Sequence, residues 1–148
     1  MITIKEDIQE AHTFSLLVDN EAGVLARVIG LFSGRGYNIE SLTVAEVDKD
    51  SHTSRITIVS KGSPKTIDQI KRHLERLVPV HKVTDLTIEG PSVEREMALI
   101  KVLYTNENKE EILRLVEIYR AKIVDTTDKS FVFELTGAMD KINSFIDL

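Results

Sequence analysis

The fold is decided at residues 12–36, which read HTFSLLVDNEAGVLARVIGLFSGRG. In residues 12–19, large apolar side chains alternate with smaller or polar ones, which predicts a strand with one buried face. The apolar residues of that face are Phe14, Leu16 and Val18. From Val24 onward, apolar residues recur at a helical spacing instead, and we expect this helix to end at Gly36. The residues between, Asn20 to Gly23, form a tight strand-to-helix turn.

The residues that follow extend this unit to the order β-α-β-β-α-β. Strands are predicted at 39–47 and 55–60, where β-branched residues alternate around a polar connection. Ser63 is a preferred helix N-cap and Pro64 suits the first position of a second helix. Residues 80–88 predict a fourth strand. This order is that of the ferredoxin-like fold, an α+β fold in which both helices pack on one face of an antiparallel sheet.

The second half of the chain starts the same pattern again. Apolar periodicity predicts strands at 97–104, 122–127 and 130–136, and helices at 109–119 and from Ala138 onward. This order, β-α-β-β-α, lacks a final strand. We therefore expect a second, incomplete ferredoxin-like α+β domain, whose last strand is missing or lies beyond Leu148.

The domain boundaries are placed around the single Gly-Pro pair of the chain, Gly90-Pro91, because this dipeptide is typical of a linker. We predict an N-terminal segment at 1–11, a first domain at 12–89, a linker at 90–92 and a second domain at 93–148.

Composition restricts the possible partners and compartments. Hydrophobic residues make up 42% and charged residues 29% of the chain, which is typical of a soluble globular protein. The absence of cysteine favours a reducing, cytoplasmic location. Residues 1–7 have no signal-peptide pattern, and no apolar run approaches the ~20 residues that span a bilayer. A net charge of −5 argues against nucleic-acid binding, as does the absence of aromatic residues from strand 55–60.

The sequence shows no constellation that would carry catalysis or bind a metal. The four histidines have no companion ligand at a metal-binding spacing; they are His12, His52, His73 and His81. Gly34-Arg35-Gly36 lacks the third glycine of a dinucleotide fingerprint and leads into a strand. A group of basic residues is interpreted as the solvated side of the second helix: Lys61, Lys65, Lys71, Arg72, Arg76 and Lys82.

The turn before the first helix is the one segment with the chemistry of a ligand site. Backbone N–H groups at a helix N-terminus bind carboxylates, and Gly23 permits close approach to the main chain. The side-chain oxygen of Asn20 can accept from an ammonium group, so the turn suits an amino acid. We expect Asn38 to face the same space, with Leu25 and Ile39 lining a small apolar pocket. The same residues also suit an ordinary tight turn, and this alternative stays open.

Four segments resemble the acetolactate synthase (acetohydroxyacid synthase) small regulatory subunit family. They are Asn20-Glu21-Ala22-Gly23-Val24-Leu25-Ala26-Arg27-Val28-Ile29-Gly30-Leu31-Phe32, Arg35-Gly36-Tyr37-Asn38-Ile39-Glu40-Ser41-Leu42-Thr43-Val44, Ser54-Arg55-Ile56-Thr57-Ile58 and Val93-Glu94-Arg95-Glu96-Met97-Ala98-Leu99-Ile100-Lys101-Val102. The resemblance covers almost the whole chain. It implies an amino-acid-sensing ACT domain followed by a C-terminal domain characteristic of these subunits.

The resemblance also implies a function and a partner. Such subunits are not enzymes; they activate a catalytic large subunit that holds thiamine diphosphate, magnesium and FAD, and they confer feedback inhibition by valine. The implied valine site lies between the ACT domains of a homodimer. It consists of Asn20, Gly23, Val24, Leu25, Asn38 and Ile39 in this chain. The alternatives are a stand-alone ACT-type amino-acid sensor of another system and a small enzyme on the same fold.

Overall fold

The computed structural model describes residues 8–148, which divide into two compact units between Ser92 and Val93. Each unit is a mixed α+β fold with its own antiparallel sheet and its own hydrophobic core. The division falls at the end of the predicted linker. Residues 1–7 of the predicted N-terminal segment lie outside the described residues.

The first unit contains four strands and two helices. They are β1 (Glu10–Asp19), α1 (Val24–Arg35), β2 (Asn38–Asp48), β3 (Thr53–Gly62), α2 (Pro64–Glu75) and β4 (Val80–Asp85). The sheet order is β2-β3-β1-β4, and every neighbouring pair is antiparallel. The predicted ferredoxin-like fold is thus confirmed. The predicted helix ends are also confirmed: Gly36 terminates α1 at φ 71°, and the Ser63 side chain caps α2.

The core of the first unit lies between one face of the sheet and the two helices. The predicted apolar face of β1 is buried, with exposed fractions of 0–2% at Phe14, Leu16 and Val18. The two helices bury a stripe of apolar residues against it: Val24, Val28, Phe32, Ile67, Ile70 and Leu74. The residues of β1 and β3 between these positions point to the opposite face of the sheet, which neither helix covers.

Several strand ends of the first unit differ from the prediction. β2 extends one residue further at each end than 39–47, and β3 extends two residues further at each end than 55–60. β1 begins at Glu10 rather than His12, because Glu10 and Ala11 continue the ladder with β3. β4 ends at Asp85 rather than Ile88. Oδ1 of Asp85 accepts a hydrogen bond from the backbone N–H of Thr87 at 3.1 Å, which turns the chain out of the ladder.

The second unit contains three strands and two helices. They are β5 (Glu96–Leu103), α3 (Lys109–Tyr119), β6 (Lys122–Thr126), β7 (Ser130–Gly137) and α4 (Met139–Asp147). The sheet order is β5-β7-β6, so β5 is an edge strand where a complete ferredoxin-like sheet has a fourth strand beside it. The fold is therefore the incomplete ferredoxin-like α+β domain that was predicted. Helix α4 buries Ile142 and Phe145 against the core of this unit, while Ile146 is 58% exposed.

Candidate functional site

The turn between β1 and α1 is anchored on the β2–β3 hairpin. The backbone N–H of Asn20 donates to the carbonyl of His52 at 2.7 Å, and the β1–β3 ladder ends where Asp19 pairs with Thr53. Gly23 precedes the helix with φ 85° and ψ −9°, a left-handed conformation that only glycine adopts without strain. A Cβ added here would meet no atom within 4 Å. The turn is therefore open at the position of Gly23.

The first turn of α1 presents backbone donors that no side chain of the described residues caps. In α2, by contrast, the Ser63 hydroxyl accepts from the backbone N–H of Thr66 at 3.2 Å. In α1, Arg27 N–H donates to the carbonyl of Gly23 at 3.0 Å and Val24 N–H donates to the carbonyl of Glu21 at 3.4 Å. The first-turn donors without an acceptor among the described residues are therefore the N–H groups of Leu25 and Ala26. Together with the positive end of the helix dipole, these groups suit a carboxylate.

The two predicted asparagines are exposed, and both use their amide nitrogens within the chain. Asn20 Nδ2 donates to the carboxylate of Glu46, and Asn38 Nδ2 donates to Glu40 Oε1 at 2.6 Å. Among the described residues, no side-chain or backbone donor reaches the amide oxygen of either asparagine. Each oxygen is therefore available to accept from an ammonium group, as the sequence predicts for Asn20.

The charge beside Asn20 is negative. Glu46 contacts its side chain, and Asp48 follows at the end of β2. Hydrogen bonds from the Ser51 side chain and from the backbone N–H groups of Ser51 and Asp50 lower the pKa of Asp48. An ammonium group is thus favoured on this side of the turn, next to the anion-binding end of α1.

Asn20 and Asn38 lie at opposite ends of the sheet. Asn38 pairs with Lys61 at one end of β3, whereas Asn20 is bonded to His52 just beyond the other end. Glu46, the contact of Asn20, is eight positions along β2 from Asn38, or about 26 Å at about 3.3 Å per residue. The prediction that both amides face the same space is therefore wrong for a single chain. The reason is that α1 runs back along the sheet and separates its two flanking segments.

The apolar residues of the predicted site are divided in the same way. Val24 is 6% exposed and belongs to the core, while Leu25 and Ile39 are half-buried against that core. Ile39 pairs with Ser60 at the Asn38 end of β2, whereas Leu25 is in the first turn of α1. One chain thus does not form the predicted pocket between Leu25 and Ile39.

A buried histidine with two carboxylate partners was not predicted. His12 is 8% exposed; its Nδ1 lies 2.7 Å from Asp85 Oδ2 and its Nε2 lies 2.9 Å from Glu10 Oε2. Burial acts to lower the pKa of His12, but the hydrogen bonds and charges of both carboxylates raise it, and the net shift is upward. The alternation that buries Phe14 also points position 12 towards the core, so the sequence carried a signal for the burial.

The predicted group of basic residues is divided between two faces of the unit. Lys65, Lys71 and Arg72 lie on α2, as expected. Lys61 lies on β3 and Lys82 on β4, so their assignment to the solvated side of the helix is wrong. The error arises because both residues flank the helical segment in the sequence but continue into strands.

Neither a metal cluster nor a membrane span is found in the described part of the chain. Within residues 8–148, no group of three or more His, Cys, Asp or Glu side chains is arranged to hold a metal ion. No helix in the same range is long and apolar enough to cross a membrane.

Comparison with known proteins shows matches over both units. Residues 14–82 match the family described as the AHAS small subunit-like ACT domain, and residues 95–148 match the family described as the small subunit of acetolactate synthase. The chain is 48% identical over 137 residues to the probable acetolactate synthase small subunit of Archaeoglobus fulgidus, covering 93% of this chain and 84% of that protein. It is 47% identical over 132 residues to the acetolactate synthase small subunit of Haemophilus influenzae, covering 89% and 80%. The crystal structure of the small subunit from Thermotoga maritima superposes with a TM-score of 0.80 at 46% identity, covering 93% of this chain and 85% of that one.

Proposed function

The chain belongs to the acetolactate synthase small-subunit family, and on this premise we propose that it is the non-catalytic regulatory subunit that activates the catalytic subunit and confers feedback inhibition by valine. Membership of this family implies a catalytic large subunit as partner. In this proposal, thiamine diphosphate, magnesium and FAD belong to the catalytic subunit, and the complex acts in the cytoplasm in branched-chain amino-acid biosynthesis.

The observation that carries the effector part of the proposal is the pair of complementary groups at the β1–α1 turn. The uncapped donors of α1 suit a carboxylate, and the Asn20 amide oxygen beside the Glu46 carboxylate suits an ammonium group. An α-amino acid carries both of these groups on its α-carbon. The remaining wall of the site, which would contact an aliphatic side chain, is not supplied by the same chain.

We propose that a second copy of the chain supplies that wall through the edge strand β2. Among residues 8–148, no strand pairs with the outer edge of β2, and an unpaired edge is a template for a further strand. Val44 and Val47 on this strand are 45% and 47% exposed, which favours their burial against a second copy. In an antiparallel pairing about a two-fold axis at Thr43, residue 38 of one copy faces residue 48 of the other. Asn38 of one copy then approaches the Asn20 turn of the other.

Valine bound between the two copies stabilises one arrangement of the dimer. A ligand shifts such an equilibrium only by its difference in affinity for the two states, which is typically about 1–3 kcal/mol. The same coupling requires that binding of the catalytic subunit changes the affinity for valine. This reciprocal effect connects the effector site to enzyme activity without any catalytic group in this chain.

Complementation between two defective chains tests the two-chain site. Homodimers of Asn20→Ala or Asn38→Ala have a defect in both sites, and we expect each to lose valine affinity. A heterodimer purified with two different tags has one intact site and one site with both defects, so calorimetry should recover one high-affinity site per dimer. A heterodimer that binds no better than either homodimer would contradict a site shared between copies.

Co-purification with the catalytic subunit tests the regulatory role itself. We expect the chain to raise acetolactate synthase activity, and valine to reverse that increase, with leucine and isoleucine titrated in parallel. Failure to bind the catalytic subunit, with amino-acid binding retained, would favour the stand-alone sensor instead.

A further inference from the structure

The face of the first sheet that the helices leave open carries a concavity of about 430 Å³ between Arg55 and Lys82. The two cations lie in one row across three strands, because Leu17 on β1 pairs with Arg55 on β3 and with Lys82 on β4. Neighbouring strands are about 4.8 Å apart, so the two Cα atoms are about 10 Å apart. Both long side chains can therefore reach an anionic group that lies over Leu17.

A row of hydroxyl groups adjoins the cations. Ser15, two residues before Leu17, pairs with Thr57 on one side and with Thr84 on the other, and all three side chains line the same concavity. Leu17 and the three hydroxyl residues are half-buried. The concavity thus combines two charges, three hydrogen-bonding groups and an apolar floor.

The concavity is positive in a protein that is negative overall. The chain has a net charge of −5, yet none of the described residues that line the concavity is acidic. Arg55 and Lys82 are both exposed, and neither forms an ion pair with another residue in the range 8–148. The net charge of the protein repels an acidic partner, whereas Arg55 and Lys82 attract it. An acidic partner is therefore directed to this face of the sheet and held there in a defined orientation.

We propose that this concavity docks an acidic segment of the catalytic subunit, with Arg55 and Lys82 binding its carboxylates and the three hydroxyls donating hydrogen bonds beside them. The proposal rests on the regulatory role proposed above and assigns the contact surface for it. A second copy of the chain fits less well, because stacking two such faces brings like charges together. Single-stranded RNA also fits less well, because no aromatic residue lines the concavity to stack on bases.

The test compares charge-reversed chains for affinity to the thiamine-diphosphate-loaded catalytic subunit. Arg55→Glu combined with Lys82→Glu should weaken binding by roughly ten-fold or more, since each exposed contact contributes up to about one power of ten when reversed. Arg55→Gln combined with Lys82→Gln should weaken binding less and should flatten its dependence on salt. The matched control, Lys65→Glu with Arg76→Glu, makes the same charge change on the helical side and should leave affinity nearly unchanged.

The outcomes of this test distinguish an error in the docking surface from an error in the proposed regulatory role. Thermal unfolding and valine calorimetry of the Arg55→Glu/Lys82→Glu chain should match the unmodified chain, because both side chains are exposed on the face of the sheet opposite the helices and the core. If the unmodified chain binds the catalytic subunit and this variant binds equally well, or if the helical control loses as much affinity, the docking assignment is wrong and the regulatory role stands. If the unmodified chain itself does not bind, both are wrong.

Discussion

Gly23→Asp separates the effector site from the stability of the fold. At φ 85° an L side chain costs about 1–2 kcal/mol, with aspartate near the lower value because it tolerates the left-handed region. No steric cost is added, since a Cβ at this position meets no atom within 4 Å. A carboxylate before α1 also recovers about 0.3–1 kcal/mol from the helix dipole. We therefore expect a net loss of at most about 0.7 kcal/mol in unfolding free energy, or a decrease of at most about 3–6 °C in Tm.

The expected loss of valine binding is much larger than this loss of stability. The introduced carboxylate lies where the ligand's carboxylate is proposed to bind, and it competes for the same backbone donors of α1. Hydrogen bonds to a charged group contribute about 1.5–3 kcal/mol, and the dipole adds up to about 2 kcal/mol. Loss of about 3 kcal/mol or more corresponds to at least ~100-fold weaker binding.

Calorimetric titration of valine, with thermal unfolding measured on the same samples, tests this prediction. Gly23→Ala is the control, because it introduces at least as much backbone strain as Gly23→Asp without the charge and should retain much of the affinity. Valine affinity within three-fold of the unmodified chain in Gly23→Asp would refute the placement of the ligand carboxylate at α1. Equal losses in both variants would attribute the effect to the backbone conformation rather than to charge.

Two further predictions concern the first unit. Ser63→Ala removes the acceptor for Thr66 N–H and should lower the unfolding free energy by about 1 kcal/mol in urea denaturation; an unchanged midpoint would contradict a capping role. The pKa of His12 is raised in the folded state, so its protonated ring should stabilise the fold below the ordinary histidine pKa and lose this contribution as pH rises through the folded value. His12→Gln should therefore be more destabilising at pH 5 than at pH 9, and a pH-independent difference would show that the charge is not involved.

The positions of helices and strands were predictable because local patterns and global packing agree. The alternation through Phe14 and Leu16 identifies a buried face whichever strand β1 pairs with. Gly36 and Ser63 mark helix ends because a left-handed glycine ends a helix and a serine hydroxyl caps the start of one. The strand ends that were predicted wrongly are those that are set by particular hydrogen bonds rather than by the apolar pattern. Only the ladder with β3 shows that β1 begins at Glu10, and only the hydrogen bond from Thr87 N–H to Asp85 Oδ1 shows that β4 ends before Ile88.

The composition of the effector site was harder to predict than the fold, because proximity in sequence does not report which end of a sheet a residue occupies. Asn20 and Asn38 are separated in sequence by helix α1, which runs back along the sheet, so the two residues lie at opposite ends of it. The two asparagine side chains suggested that both amides would bind the same ligand. Only the strand register shows that Asn20 and Asn38 lie at opposite ends of the sheet in one chain.

The same separation makes dimerisation a requirement of the proposed sensing function. Because β1 and β2 run in the same direction, the turn after β1 and the start of β2 occupy opposite ends of the sheet in every chain of this topology. A two-fold axis perpendicular to the sheet makes the β2 strands of the two chains antiparallel. The start of β2 in each chain then lies next to the β1–α1 turn of the other chain, which gives two equivalent sites per dimer. An amino acid bound at both junctions therefore reports on the arrangement of two chains, and a change in that arrangement can alter the affinity for valine without any conformational change within one fold.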